Sequence, residues 1–140
     1  MGKNSCYTYF KIVGKFDVDE VVENIGLEPF WVSRIGDEIH NIGPAQNATC
    51  CFCRCDDYDV YVEKQMRETV KPLLCKKDYL KKLYKESDVR FFLEVVPRAW
   101  IDESTPCLAP PLDIIDFCHE TRTEIDIDLY IIGESKKENV

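Results

Sequence analysis

A chain of 140 residues has the length of one ordinary domain and can bury roughly two thirds of its unfolded surface, so its core needs neither metal nor disulfide. Hydrophobic residues make up 45% and charged residues 31%, which excludes wholesale disorder. The 18 basic and 26 acidic residues leave a net charge of −8, a balance that argues against a nucleic-acid binder and suits a soluble domain with a basic partner.

Met1 to Ser5 is polar and carries no secretory leader pattern, and no apolar run approaches the ~20 residues that span a bilayer. A cytoplasmic chain without a membrane partner is expected, with its eight cysteines as thiols rather than bridges. The sequon Asn47-Ala48-Thr49 is discounted on the same ground. Cys6 to Val13 is a strand with bulky residues on both faces, hence central. Asp17 caps the next helix, Glu20 closes a capping box, and Val18, Val21, Val22 and Ile25 form its apolar face. Gly26 supplies the left-handed stop, with Leu27 folding back.

Phe30 to Ile39 reads as a weaker strand and Asn41 to Asn47 as a loop around Gly43-Pro44. Thr49 to Val62 is a strand bent at Asp56-Asp57. Glu63 to Ser87 is helical but carries Pro72, which lacks a donor, so two short helices or one kinked helix are expected, with Met66, Val70, Leu73, Leu74, Leu80 and Leu83 inward. Val89 to Val96 is a strand ended by Pro97, and a helix starts at Pro111 with Leu112, Ile115 and Cys118. The last strand, Glu124 to Ile132, alternates Ile125, Ile127, Leu129 and Ile131 against Asp126, Asp128, Tyr130 and Ile132. The order β-α-β-β-α-β, followed by an extra α-β, predicts an α+β fold: a ferredoxin-like antiparallel sheet with helices on one face. Residues 1–133 make that single domain, and 134–140 a charged tail expected to fray.

Four pieces in this order carry a family resemblance: Phe10-Lys11-Ile12-Val13-Gly14, Ile25-Gly26-Leu27-Glu28-Pro29, Arg34-Ile35-Gly36-Asp37, and the run from Glu120 to Tyr130. The chain resembles the bacterial family catalogued as domain of unknown function 4279 over nearly its whole length. Members of that family often open the middle strand with Trp, where this chain has Cys50-Cys51-Phe52-Cys53. The resemblance implies the fold and transfers no catalytic residue.

The densest chemistry is the cluster Cys50, Cys51, Cys53 and Cys55. In an extended strand Cys51, Cys53 and Cys55 share a face at steps of ~6.6 Å, too far apart to chelate one zinc as neighbours. Further ligands would have to come from His40, Cys107, Cys118 or His119, so buried thiols are the expectation, with no metal and no cofactor. Cys118 and His119 point about 100° apart on a helix and do not make a nucleophile–base pair by themselves. Lys77, Lys81 and Lys85 are read as the solvated face of their helix. Asp126 and Asp128, with Arg34 and Tyr130, form the expected ligand-binding set on a polar sheet face, and Tyr7 and Tyr9 add aromatic surface if they point the same way. No catalytic constellation is present. The expected function is a non-enzymatic, accessory or immunity-type protein-binding domain that meets a basic partner through Asp56, Asp57 and Asp59. The alternative is a small-ligand or metal-binding module using the sheet face or the cysteines.

Overall fold

Every even-numbered residue of β1 (Ser5–Gly14), from Cys6 to Gly14, is buried, while the odd-numbered ones are half-exposed. That alternation divides the molecule into a packed side and an uncovered side. The computed structural model describes residues 3–57 and 61–133, so Asp59 and the expected tail at 134–140 lie outside the described residues.

After β1 come α1 (Val18–Ile25), β2 (Trp31–Ser33), β3 (Glu38–Ile39), β4 (Gly43–Pro44) and β5 (Ala48–Asp57). Then follow α2 (Val62–Val70), a 3-10 segment (Lys71–Lys76), α3 (Lys77–Glu86) and β6 (Val89–Trp100). The chain continues with α4 (Leu112–Thr121), β7 (Thr123–Ile127) and β8 (Tyr130–Ile132). The main sheet has the order β2-β5-β1-β6-β7, with β8 also on β6 and with β3 and β4 in a separate hairpin. Its β2–β5, β5–β1 and β1–β6 pairings are antiparallel, whereas β7 and β8 run parallel to β6. The fold is α+β, and β1 is central as its two bulky faces predict.

One core cluster joins Phe10, Ile12, Phe52, Phe91 and Leu93 of the sheet to residues of the helices. Those are Val21 and Ile25 of α1, Met66 of α2, Leu80 of α3 and Phe117 of α4, so the helical layer lies on the even face of β1. Helix α1 begins and ends as expected: Asp17 accepts from the Asp19 and Glu20 amides at 2.9 and 3.3 Å, and Gly26 takes φ 72°. Beneath the sheet, Gln65 and Thr69 of α2 reach into the β1–β5 seam. The Thr8 hydroxyl donates to Gln65 Oε1 at 3.1 Å, and Gln65 Nε2 donates to the Cys6 carbonyl at 2.8 Å.

Several expectations are corrected. The segment from Phe30 to Ile39 is two strands, and the expected Asn41–Asn47 loop contributes Gly43–Pro44 to a small hairpin. Pro72 converts the helix to a 3-10 segment, and three residues per turn carry Leu74 outward when Leu73 is inward. Strand β6 runs through Pro97 to Trp100. Its outer partner is β7 up to Val95 and β8 from Arg98, so a residue with no N–H sits where that ladder is already interrupted. In α4, Phe117 sets the rotation; Ile114, Cys118 and Thr121 join it inside, and Leu112 and Ile115 are exposed. The final strand breaks after Ile127, and Ile127, Leu129 and Ile131 stand exposed where only Ile125 reaches the helical layer.

Candidate functional site

The odd face of β1 bears Tyr7, Tyr9, Lys11 and Val13, and no helix among the described residues packs on it. Register adds Cys51 of β5 beside Lys11, Trp31 of β2 beside Cys51, and Glu94 of β6 beside Tyr9. Asp126 of β7 stands next to Glu94 in turn. Together these residues make an open face five strands wide.

A β-bulge decides which residues of β5 reach this face. Thr8 pairs with Cys55 but Phe10 with Phe52, so β5 holds one extra residue there. Cys53 absorbs it at φ 58°, a left-handed conformation uncommon for a side-chain-bearing residue. Its carbonyl is not orphaned, because the Thr69 hydroxyl donates to it at 3.0 Å. Beyond the bulge the parity changes. Cys50, Phe52 and Cys53 pack toward the core, Cys51 belongs to the uncovered face, and Arg54 joins it. The expectation that Cys51, Cys53 and Cys55 share one face is therefore corrected by a single inserted residue.

Between β2, β5 and β1 the face hollows into a depression of about 370 Å³. Its walls include Tyr7, Tyr9, Phe30, Trp31, Lys11 and Arg54. Tyr7 and Tyr9 stack with centroids 6.1 Å apart, and Phe30 meets Tyr9 edge-on at 5.4 Å. The Arg54 guanidinium lies 4.2 Å from the Tyr7 ring centre and bonds Asp56 at 3.0 Å. Trp31, 54% exposed, stands at the rim.

Beside the depression Lys11 Nζ pairs with Glu94 Oε1 at 2.7 Å. Glu94 is only 3% exposed, and burial, then the neighbouring Asp126 carboxyl, lifts it to about 7 against the pull of Lys11. Tyr9 is raised to about 12, mainly by burial and then by Glu94. Burial also lifts Cys51 to about 11.

The residues expected to form a ligand set do not converge. Arg34 follows β2 at one edge and bonds Asp19 of α1 at 3.0 Å. Asp126 is on β7 at the opposite edge, four strand spacings or ~19 Å away. Past the end of β7, Asp128 accepts from the Tyr130 hydroxyl at 3.0 Å. The acidic neighbour of Asp126 is thus Glu94. Asp56 is engaged by Arg54, the backbone of Asp57 pairs with Cys6, and Asp59 lies outside the described residues. Tyr7 and Tyr9 do share the face. Lys11, Glu94, Phe30, Trp31 and Arg54 were not anticipated. The signal that points to the first two is a lone Lys in the run Tyr9 to Val13 and a lone Glu in the run Phe91 to Val96.

Elsewhere, a cleft of about 470 Å³ is lined by Tyr84, Cys118, His119, Arg122 and Glu124. Its thiol is an unsuited nucleophile, since burial pushes Cys118 up to about 12. Lys77 and Lys81 lie 3.1 and 4.0 Å from Glu120, so this basic stripe ties α3 to α4. Among the described residues no group of three or more His, Cys, Asp or Glu side chains is placed to hold a metal ion. No helix among them is long and apolar enough to cross a membrane.

Compared with known proteins, the chain matches no curated protein and no solved structure. A family match does cover residues 4–132, which include every strand and helix described above. The chain belongs to the family described as Domain of unknown function (DUF4279).

Proposed function

We propose that this chain is a non-enzymatic binding domain that takes a small ligand on the uncovered face of its sheet. The carrying observation is the depression of about 370 Å³ lined by aromatic side chains and two cations, on the sheet face opposite the helices. That volume lies at the small end of ligand pockets, which are concave and mostly apolar with a few placed polar groups. The run β2-β5-β1-β6, every pairing antiparallel and with the helices on one side, is read as a ferredoxin-like core to which α4, β7 and β8 are added. We place the domain in the bacterial cytoplasm, where its thiols stay reduced.

A second reading, a protein partner, is favoured by the exposed apolar edge formed by Ile127, Leu129 and Ile131. One experiment separates the two. A fragment library is screened by amide NMR, together with a host extract. Fragment-induced shifts gathered at Tyr9, Trp31 and Thr49 are the expected result. Shifts gathered in the α3–α4 cleft would overturn the site, and broadening confined to 127–131 by the extract would replace the ligand with a protein.

A further inference from the structure

The depression is electrostatically at odds with the rest of the molecule. Among the described residues, Lys11 and Arg54 stand in its walls and no carboxylate does, on a chain of net charge −8. Its lining is aromatic: the rings of Tyr7 and Tyr9 stand nearly parallel, 6.1 Å apart, and Phe30 meets Tyr9 edge-on. Aromatic side chains accept a further ring offset or edge-on, and a cation beside them accepts an anion carried on that ring.

Each cation is held by one of the chain's own carboxylates. Asp56, the partner of Arg54, is exposed and can return to water. Glu94, the partner of Lys11, cannot, being 3% exposed with Asp126 at its flank. Its Oε1 also lacks an aligned hydrogen-bond donor among the described residues, despite the 2.7 Å approach of Lys11. A buried carboxylate deprived of its cation is costly and neutralises instead. Resting on the reading that this face is the ligand surface, we propose that the depression binds a small planar carboxylate, which replaces Glu94 as the partner of Lys11 while Glu94 takes up one proton from solvent.

The ledger of charge is simple: the ligand enters as an anion, and the proton cancels the charge Glu94 would otherwise keep. The groups that face Glu94 are Lys11 and Tyr9 from β1, Asp126 from β7 and Cys51 from β5. Tyr9 at about 12 and Cys51 at about 11 stay neutral across the working range, which leaves Lys11 and Asp126 as the opposing influences. With Glu94 at about 7, protonation is within easy reach.

The probe is 2-naphthoate, titrated between pH 6 and pH 8 by calorimetry in buffers of different ionisation heat, with uncharged 2-naphthamide as the control. Binding about tenfold weaker at pH 8 than at pH 6 is expected, because the protonated fraction of a group titrating near 7 falls by that factor. Uptake of about one proton per ligand is expected at pH 8. Lys11→Met abolishes the preference for naphthoate, and Glu94→Gln gives tight, pH-independent binding; if Lys11→Met does not fold, the Glu94→Gln profile decides. Equal binding of naphthoate and naphthamide overturns the anion assignment while leaving the face a ligand site. A pH-independent affinity in the wild type overturns the Glu94 exchange. Failure of both probes to bind overturns the ligand class, whereas the NMR screen tests the face itself.

Discussion

Glu94 is a carboxyl whose ionisation the fold opposes. Its carboxyl moves from the ordinary 4.5 to about 7, through burial first and Asp126 second, with Lys11 opposing both. Between those two values the folded chain retains a proton that the unfolded chain has released. Stability therefore falls as pH rises from about 4.5 to about 7 and levels off above. The contribution is at most about 3.5 kcal/mol, taking ~1.4 kcal/mol per unit. Glu94→Gln keeps the shape and removes the titration, so urea unfolding at pH 5 and pH 8 should show that part of the slope in the wild type only. Identical slopes in the two proteins would mean that Glu94 ionises freely in the fold. The sequence hints at this group, since Glu94 interrupts the run Phe91 to Val96. It does not reveal the neighbour, because Asp126 comes beside it only when β7 pairs in parallel with β6.

Local rules served well where an element is closed by its own residues. The Asp17 cap and the Gly26 stop define α1 as read, with the Asp17 carboxylate accepting from the Asp19 and Glu20 amides. Glycines that look alike in sequence nonetheless differ in what surrounds them. At Gly26 an added Cβ meets nothing nearer than 4.0 Å, so Gly26→Ala costs only the left-handed penalty of about 1–2 kcal/mol. At Gly14, φ 149°, it would lie 2.1 Å from the Asp88 carbonyl oxygen and 2.7 Å from Val89 Cα, both backbone atoms. Gly14→Ala must therefore prise β1 from the start of β6, and a loss larger than that of Gly26→Ala is expected by chemical denaturation. Similar midpoints for the two variants would contradict that close approach. The bulge at Cys53 shows the limit of pattern reading. An inserted residue is invisible in alternation until pairing with β1 fixes which residues share a face.

On the scale of the whole molecule the eight thiols sort by layer. Cys6, Cys50, Cys51 and Cys118 are buried, whereas Cys75 and Cys107 are exposed. Burial raises Cys6, Cys50 and Cys51 to about 11 and Cys118 to about 12, which suppresses the reactive thiolate as well as access to it. Brief alkylation of the native chain followed by peptide mapping should mark Cys75 and Cys107, and the buried four only after denaturation. Early modification of Cys51 would show that the uncovered face opens more than its packing suggests. The C-terminal elements are tied on by paired charges at their surfaces: Arg67 to Asp113 at 3.0 and 3.1 Å, and Arg90 to Glu124 at 2.9 and 2.7 Å. Exposed pairs of this kind contribute little stability each, so the parallel β6–β7 ladder and the buried face of α4 carry the attachment.

By itself the sequence determined the class and some of the elements: an α+β chain with a central first strand, a capped first helix and a helical stretch interrupted at Pro72. Those features depend on neighbours a few residues apart, through hydrophobic period, capping side chains and the missing proline donor. Family membership was legible too, from motifs spread along the chain. Tertiary structure alone decided that β1, with a lone Lys11, lies between β5 and β6, and that Arg34 and Asp126 stand at opposite edges of the sheet. It also decided that Phe30 meets Tyr9 and Arg54, and that Trp31 lines the same depression. The candidate site is made by cross-strand neighbours separated by tens of residues, and strand order is a property of how the whole core closes rather than of any segment within it.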